Sequence, residues 1–566
     1  MNLFLLTFSV FAPLIVCIGF VIPSWRSMLI KLSPLSALPA LILSFSSPIP
    51  QIDLSWVLLG MTFSLDPTAK IFLFFTALLW GVSGVYAVSY VKNDLTSFFV
   101  CYLLAMYGNI GLVLSVDVAS FYFFFGLMSF AAYGLIVHER NALSYYAGSV
   151  YISLVILSEV LIFSGIVINT DGIENLLFQD FTSILINHSN ASLIVGLLVF
   201  GFGIKAGLFP LHVWLPLAHP AAPTPASAIL SGAMIKAGLL GWIRFLPIGE
   251  VSIPIWGILL VILGLIGAYY AVIVGLAQDS PKAILAYSSV SQVGLMMVAV
   301  GTGLAVPEIW PFLWTALMIF AMQHAIAKGA LFLSLGTAVS RGKAIWTVAF
   351  LFPAVALVGA PFTSGALAKG SLKTALNHGI TSDPWIEAVN LLIAISAIGT
   401  FLLLARFYWK SVKHDPKRNV SAEVGIVLPW SLLVTVSILF PLFASWLGLS
   451  EVSFKEGVGA NIIPFIIGGF ILLIIMKMKF KPTYLIPAGD LLFVYIKVAK
   501  VIFLPLNGLI ALSKRLKTKG REAFKIPKID ANGFFVIEEL LGRWKVFGMT
   551  FLSLTLIIIF LISIFP

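Results

Sequence analysis

Five basic side chains stand in stretches of sequence with almost no other charge. Lys205 lies in Phe202-Gly203-Ile204-Lys205-Ala206-Gly207 and Lys236 in Ser231-Gly232-Ala233-Met234-Ile235-Lys236. His324 and Lys328 are four residues apart, and so share one helical face. Lys369 follows Gly359-Ala360-Pro361, and one acid, Glu159, occupies a comparable apolar run. A charged side chain at the centre of a bilayer costs about 2.5–3.5 kcal/mol even on a lenient scale, so each needs a reason to be there. A buried lysine can serve as a proton carrier rather than a fixed charge. Read that way, four lysines and a histidine form a relay. A single lysine near a helix end reads equally well as a snorkelling charge. Lys205, Lys236 and Lys369 taken together, two of them beside Gly/Pro breaks, favour function, because broken helices at membrane depth are tolerated where protein or water lines them. His212 and His219 flank Pro-rich turns and read as structural; Arg244 and Arg406, near helix ends, read as interface anchors.

These groups need a membrane around them, and the composition supplies it. Of 566 residues, 60% are hydrophobic and 10% charged, with a mean hydropathy of +1.07. A soluble chain of this length could not hide so much apolar surface, whereas a bilayer solvates it. The formal net charge of +11 does not indicate nucleic acid, since most Lys and Arg lie in short loops between apolar runs. The two cysteines, Cys17 and Cys101, are too few to hold an iron–sulfur cluster alone, and a disulfide framework is not expected.

Apolar runs fall near 3–22, 28–46, 68–91, 98–116, 118–137, 146–168, 192–212, 224–246, 253–276, 283–303, 309–337, 345–377, 386–409, 423–447, 461–477 and 546–564. Each is long enough to span a bilayer, so the expectation is an all-α integral membrane protein of about 16 transmembrane helices. The first run has no basic n-region or small-residue cleavage site and reads as a span. The run from 192 carries Gly207-Leu208-Phe209-Pro210 and the run at 345–377 carries Gly359-Ala360-Pro361, so both are expected to be discontinuous. Basic loop residues such as Lys92, Arg140, Lys282 and Arg341 follow odd-numbered runs; acidic ones such as Asp53, Asp171, Glu250 and Glu308 follow even-numbered runs. That separation places the N-terminus outside the cell membrane and the odd loops in the cytoplasm. Residues 482–512 read as an interfacial helix, followed by a basic loop and a final span, within a C-terminal part at 482–566.

The stretch Lys205-Ala206-Gly207-Leu208-Phe209-Pro210-Leu211-His212-Val213-Trp214-Leu215-Pro216 resembles the signature of the antiporter-like subunits of respiratory complex I, Mrp antiporters and energy-converting hydrogenases. Leu285-Ala286-Tyr287-Ser288-Ser289-Val290-Ser291-Gln292-Val293-Gly294, then Gln323-His324-Ala325 to Lys328, then Gly359-Ala360-Pro361 to Lys369 are similar to further blocks of that family, in the same order. Ala218-His219-Pro220-Ala221-Ala222-Pro223 looks closest to the membrane-bound hydrogenase and formate hydrogenlyase branch, whereas Lys369 and the sixteen-run length look like other branches. The resemblance implies N-terminal helices over 1–95, two inverted five-helix repeats over 96–246 and 247–410, and further helices over 411–481. It also implies ion translocation along Lys205, Lys236, His324, Lys328 and Lys369, in a complex with other membrane subunits and peripheral redox subunits.

One position departs from the family. Where a phrase like FWELMS carries an acid, this chain has Phe124-Phe125-Gly126-Leu127-Met128-Ser129. The family acid pairs with the lysine equivalent to Lys205. Gly126 and Glu159 each lie about 16 residues from the intervening turn, so at about 1.5 Å per residue they reach similar depth; Glu159 is therefore a replacement candidate. The resulting reading is a proton- or sodium-translocating subunit of a redox-driven complex. The alternatives are a subunit of an Mrp-type cation/proton antiporter or a degenerate scaffold. No catalytic motif, cofactor site or metal-ligand cluster stands out. His212 and His219 are the single pair that a bis-His haem could use, a reading not adopted.

Overall fold

The computed structural model describes residues 2–47, 51–54, 60–170, 176–337, 343–378, 384–413, 424–449, 454–477, 486–495 and 497. The chain divides into two units, 1–491 and 492–566. Of the second, the description covers a short helical turn at 492–495 and residue 497. The expected final span at 546–564 and most of the interfacial segment at 482–512 lie outside the described residues.

The first unit is almost entirely helical. In order come α1 (Asn2–Gly19), α2 (Arg26–Leu32), α3 (Leu38–Leu43), strands β1 (Gln51–Leu54) and β2 (Met61–Ser64), then α4 (Pro67–Tyr90), α5 (Leu95–Leu114), α6 (Val118–Ile136), α7 (Ala142–Thr170) and α8 (Phe178–Asn187). Next are α9 (Ala191–Ala206), α10 (Trp214–Ala221), α11 (Thr224–Ile229), a π-helical turn (Leu230–Met234), α12 (Lys236–Phe245), α13 (Pro254–Leu276), α14 (Pro281–Ala305) and α15 (Trp310–Thr337). The series closes with α16 (Lys343–Val358), α17 (Ser364–Leu376), α18 (Pro384–Lys413), α19 (Val424–Ile438), α20 (Phe440–Trp446) and α21 (Phe454–Lys477).

Among the described residues, eleven helices are long and apolar enough to cross a membrane, or twelve if α19 and α20, bent by 69°, form one span. The chain is thus a multi-pass integral membrane protein. Residues 283–304 of α14 and 316–334 of α15 are buried throughout, while α7 and α13 turn Ile156, Val160, Phe163, Ile262 and Ile273 outward. In water such exposure would cost roughly 25 cal/mol per Å²; lipid removes that cost.

Helix starts follow local chemistry. The Asp66 carboxylate accepts from the Ala69 N–H at 2.8 Å, with Pro67 at the first helical position of α4. Asp117 accepts from Ser120 N–H at 2.7 Å to cap α6, and also from Thr62 N–H at 2.8 Å, which ties the antiparallel β1–β2 hairpin to the bundle. Helices α13 and α14 meet through glycine. A Cβ on Gly257 would lie 2.5 Å from the Gly301 carbonyl oxygen, and one on Gly264 2.5 Å from that of Gly294, with the reverse distances equally short. Small residues at membrane-helix contacts let backbones approach this closely.

Candidate ion-translocation site

Two helices stop inside the bundle in the same way. Helix α9 ends at Ala206; Gly207 takes φ +88°, and the N–H groups of Gly207 and Leu208 both bond the Gly203 carbonyl, at 2.9 and 2.8 Å. Helix α16 ends at Val358; Gly359 takes φ +89°, and the N–H groups of Gly359 and Ala360 both bond the Val355 carbonyl, at 3.1 and 3.0 Å. This left-handed closure favours glycine and leaves helix-terminal carbonyls to be satisfied elsewhere. Trp214 Nε1 donates to the Ile204 carbonyl at 2.8 Å. Lys369, reaching back from α17, donates to the Val358 carbonyl at 2.7 Å.

Lys205 lies one turn before the first stop. Its ammonium donates to the Tyr151 hydroxyl at 2.9 Å, and Tyr151 in turn donates to the Ser129 carbonyl at 2.9 Å. Glu159, two turns along α7 from Tyr151, is 7% exposed, and its Oε1 is buried without a hydrogen-bond partner. A Cβ built on Gly126 would sit 3.7 Å from Glu159 Oε2 and 3.9 Å from Oε1. The acid of α7 therefore fills the space beside the position in α6 where the resemblance places an acid. Lys205 is the cation that acts electrostatically on Glu159, although the two are not within the 4.0 Å of a direct ion pair.

A second centre joins α12, α14 and α15. In the π turn the Ile235 N–H reaches the Leu230 carbonyl at 3.2 Å, a widening of the kind often found at functional positions. The Lys236 ammonium donates to the Ser231 carbonyl at 2.7 Å and meets His324 Nδ1 at 2.7 Å. Lys328 donates to the Leu285 carbonyl at 2.7 Å. His219 stacks on Phe332, ring centroids 4.6 Å apart, and Lys328, Lys282 and Lys236 are the charges that act on it. Among the described residues no carboxylate acts on this group. Two full positive charges 2.7 Å apart would repel by about 6 kcal/mol at an effective dielectric constant near 20, so Lys236 and His324 hold one proton between them.

All six sequence-derived residues are thus buried, but in three places. Lys205 and Glu159 form one group; Lys236, His324 and Lys328 a second; Lys369 stands apart, with Lys373 as the charge acting on it. Tyr151, which accepts from Lys205, escaped the sequence reading because a lone tyrosine in an apolar run carries no signal. The π turn behind Lys236 likewise has no pattern of its own. The two arginines expected as interface anchors each have a specific partner: Arg244 pairs with Asp66 at 2.5 Å, and Arg406 donates to the Gln278 carbonyl at 3.0 Å. His212 and His219 do not form a pair: His212 packs against Phe209 and Tyr270, His219 against Phe332.

A multi-pass helical bundle with buried basic side chains in its interior defines a class of polytopic membrane protein. Residues 115–379 match the family described as NADH:quinone oxidoreductase/Mrp antiporter, transmembrane. Hydrogenase-4 component B of Escherichia coli is 29% identical over 295 residues, covering 50% of this chain and 44% of that protein. A putative antiporter subunit, mnhA2, of Staphylococcus aureus is 28% identical over 497 residues, covering 77% of this chain and 61% of that protein. The chain spans about half the length of the curated relatives it matches. The same fold occurs in the Mrp complex from a Dietzia species (TM-score 0.72, 18% identity, 95% of this chain and 65% of that chain). It also occurs in the archaeal membrane-bound sulfane sulfur reductase, a respiratory membrane complex (TM-score 0.68, 19% identity, 95% and 99%).

Proposed function

We propose that this chain moves protons or sodium ions across the cell membrane as one subunit of a redox-driven complex, through Lys205, Lys236, His324, Lys328 and Lys369, with Glu159 as the partner of Lys205. The observation that carries the proposal is the position of the Glu159 carboxylate against Gly126, in electrostatic reach of Lys205. It returns an acid to the place beside the helix interruption where a movable proton needs a counter-charge. The matched closures at Gly207 and Gly359 support two inverted repeats over 96–246 and 247–410, and the loop charges support about sixteen spans with the N-terminus outside. Partners in this reading are other membrane subunits and peripheral redox subunits, in line with relatives that are components of larger assemblies. A second reading, a subunit of an Mrp-type antiporter without a redox partner, is favoured by the likeness to the mnhA2 subunit over 77% of the chain.

The test is translocation by the assembled complex in vesicles. Lys205→Ala and Lys369→Ala should each abolish ion movement while the subunits still co-purify. Undiminished translocation by either variant contradicts the proposal. Ion movement driven by electron donors supports the first reading, and movement driven by an ion gradient alone supports the second.

A further inference from the structure

The stop of α16 is held from a neighbouring helix. The side-chain amide of Gln323, on α15, donates through Nε2 to the Ala356 carbonyl at 3.1 Å, close to where α16 ends at Val358. Gln323 is 2% exposed. A carbonyl oxygen only accepts, so the NH2 end of the amide has to face it. Near its other end α16 is tied to the same neighbour, since Trp346 Nε1 donates to the Ser334 carbonyl of α15 at 2.9 Å. The two bonds pin α16 to α15 at both ends.

The Ala356 carbonyl is also the point on which α17 rests. A Cβ added to Gly365 would overlap that oxygen, so α17 has no slack there. Lys369 lies one turn beyond Gly365, on the same face of α17. A Cβ on Gly359 would stand 3.1 Å from Lys369 Cδ, and the Lys369 ammonium bonds the Val358 carbonyl at 2.7 Å. On α15, Gln323 adjoins His324, which meets Lys236 at 2.7 Å. Consecutive residues of α15 thus reach two of the three buried groups, and the amide is a contact toward the one that stands apart.

A neutral amide suits this place. It gives a buried carbonyl a donor without burying a further charge. The backbone offers Ala356 little: the Gly359 N–H reaches its carbonyl at 3.2 Å but is shared with the Val355 carbonyl at 3.1 Å. A helix-terminal carbonyl that loses its donor in an apolar interior turns toward another, and here the stop would turn with it. We infer that Gln323 is a positioning residue for the Lys369 step of translocation: it clamps the α16 stop to α15 and so sets where the Val358 carbonyl stands to receive the Lys369 ammonium. The part in translocation rests on the function proposed above, but the clamp itself does not.

The two parts can be tested separately on the assembled complex. Gln323→Met keeps the length and fills the space but has no donor, whereas Gln323→Asn keeps the amide on a shorter stem. Hydrogen–deuterium exchange read by mass spectrometry should be at least about fivefold faster at Gly359 and Ala360 in Gln323→Met, and unchanged at Gly207 and Leu208. Translocation in vesicles, normalised to assembled subunits, should fall about tenfold in Gln323→Met and recover in part in Gln323→Asn. A role in packing alone gives the reverse order, because Met fills the space better than Asn. Wild-type exchange at Gly359 and Ala360 in Gln323→Met, or a Gln323→Asn variant no faster in translocation than Gln323→Met, overturns the inference. If Gln323→Met does not assemble, Gln323→Asn is compared with the wild type, and an unchanged exchange rate at the stop overturns it. If Lys369→Ala translocates normally, the proposed function fails, and exchange at the stop alone decides the clamp.

Discussion

The contact between Glu159 and Gly126 permits an acid to be moved from one helix to the next. Glu159→Gln removes the charge that Lys205 faces while preserving side-chain volume. Because the two groups are more than 4.0 Å apart, their interaction at an effective dielectric constant near 20 is at most about 4 kcal/mol, or about three decades in the balance between charged and neutral forms. Glu159→Gln should therefore slow translocation by between about tenfold and a thousandfold. Gly126 can accept a side chain: its added Cβ meets the Glu159 carboxylate at 3.7–3.9 Å, ordinary van der Waals contact. Replacing glycine in a helix interior also gains about 0.5–1 kcal/mol of helix stability. The double variant Gly126→Glu with Glu159→Gln should recover several-fold of the lost rate. Gly126→Glu alone should not raise the rate, since two carboxylates in contact cannot both ionise without penalty. The assay is dye-reported ion uptake into vesicles containing the purified complex, normalised to assembled subunits. A wild-type rate for Glu159→Gln, or a double variant no faster than Glu159→Gln at equal assembly, would refute the pairing.

Three further outcomes follow from the geometry. Lys236 and His324 hold one proton at 2.7 Å, so Lys236→Ala and His324→Ala combined should lose little more activity than either alone in a double-variant cycle on vesicle uptake; additive losses would separate them. Gly264→Ala forces a Cβ to within 2.5 Å of the Gly294 carbonyl oxygen and should cost about 1–3 kcal/mol, seen as a lower unfolding temperature of the complex. Gly469→Ala, in a helix but with open space around it, serves as the control and should not lower that temperature. Gentle detergent extraction should recover the chain with other membrane subunits, and a stable monomer that translocates by itself would contradict its role as a subunit.

Most helix positions could be read from the sequence because a bilayer-spanning run needs length and apolarity, and both are properties of composition over a window. Pro67, Pro254 and Pro281 then mark helix starts sharply. Helix α9 ends at Ala206 and α16 at Val358, each just before a glycine with positive φ that a proline follows closely, a local sequence that announces its backbone preference. The equal depth of Gly126 and Glu159 was also legible, being simple counting from a turn. Their facing was not, because depth fixes one coordinate and rotation about two helix axes fixes the other. Tyr151, the π turn and the bond of Gln323 were illegible for a related reason: each acquires meaning from a partner far away in the chain, such as Lys205 for Tyr151 or the Ala356 carbonyl for Gln323. Arg244 and Arg406 read as anchors because nothing near them in sequence identifies Asp66 or the Gln278 carbonyl.

The two interrupted helices differ in what plugs their open ends. At the α9 end the Ile204 carbonyl is met by an indole that has no charge to lose and little freedom to swing away. At the α16 end the Val358 carbonyl is met by the Lys369 ammonium on a flexible stem. Without Lys369 that buried oxygen would need another donor, because an unpaired carbonyl in an interior is costly. The α16 end is thus closed by a group able to carry a charge, and the α9 end by one that cannot.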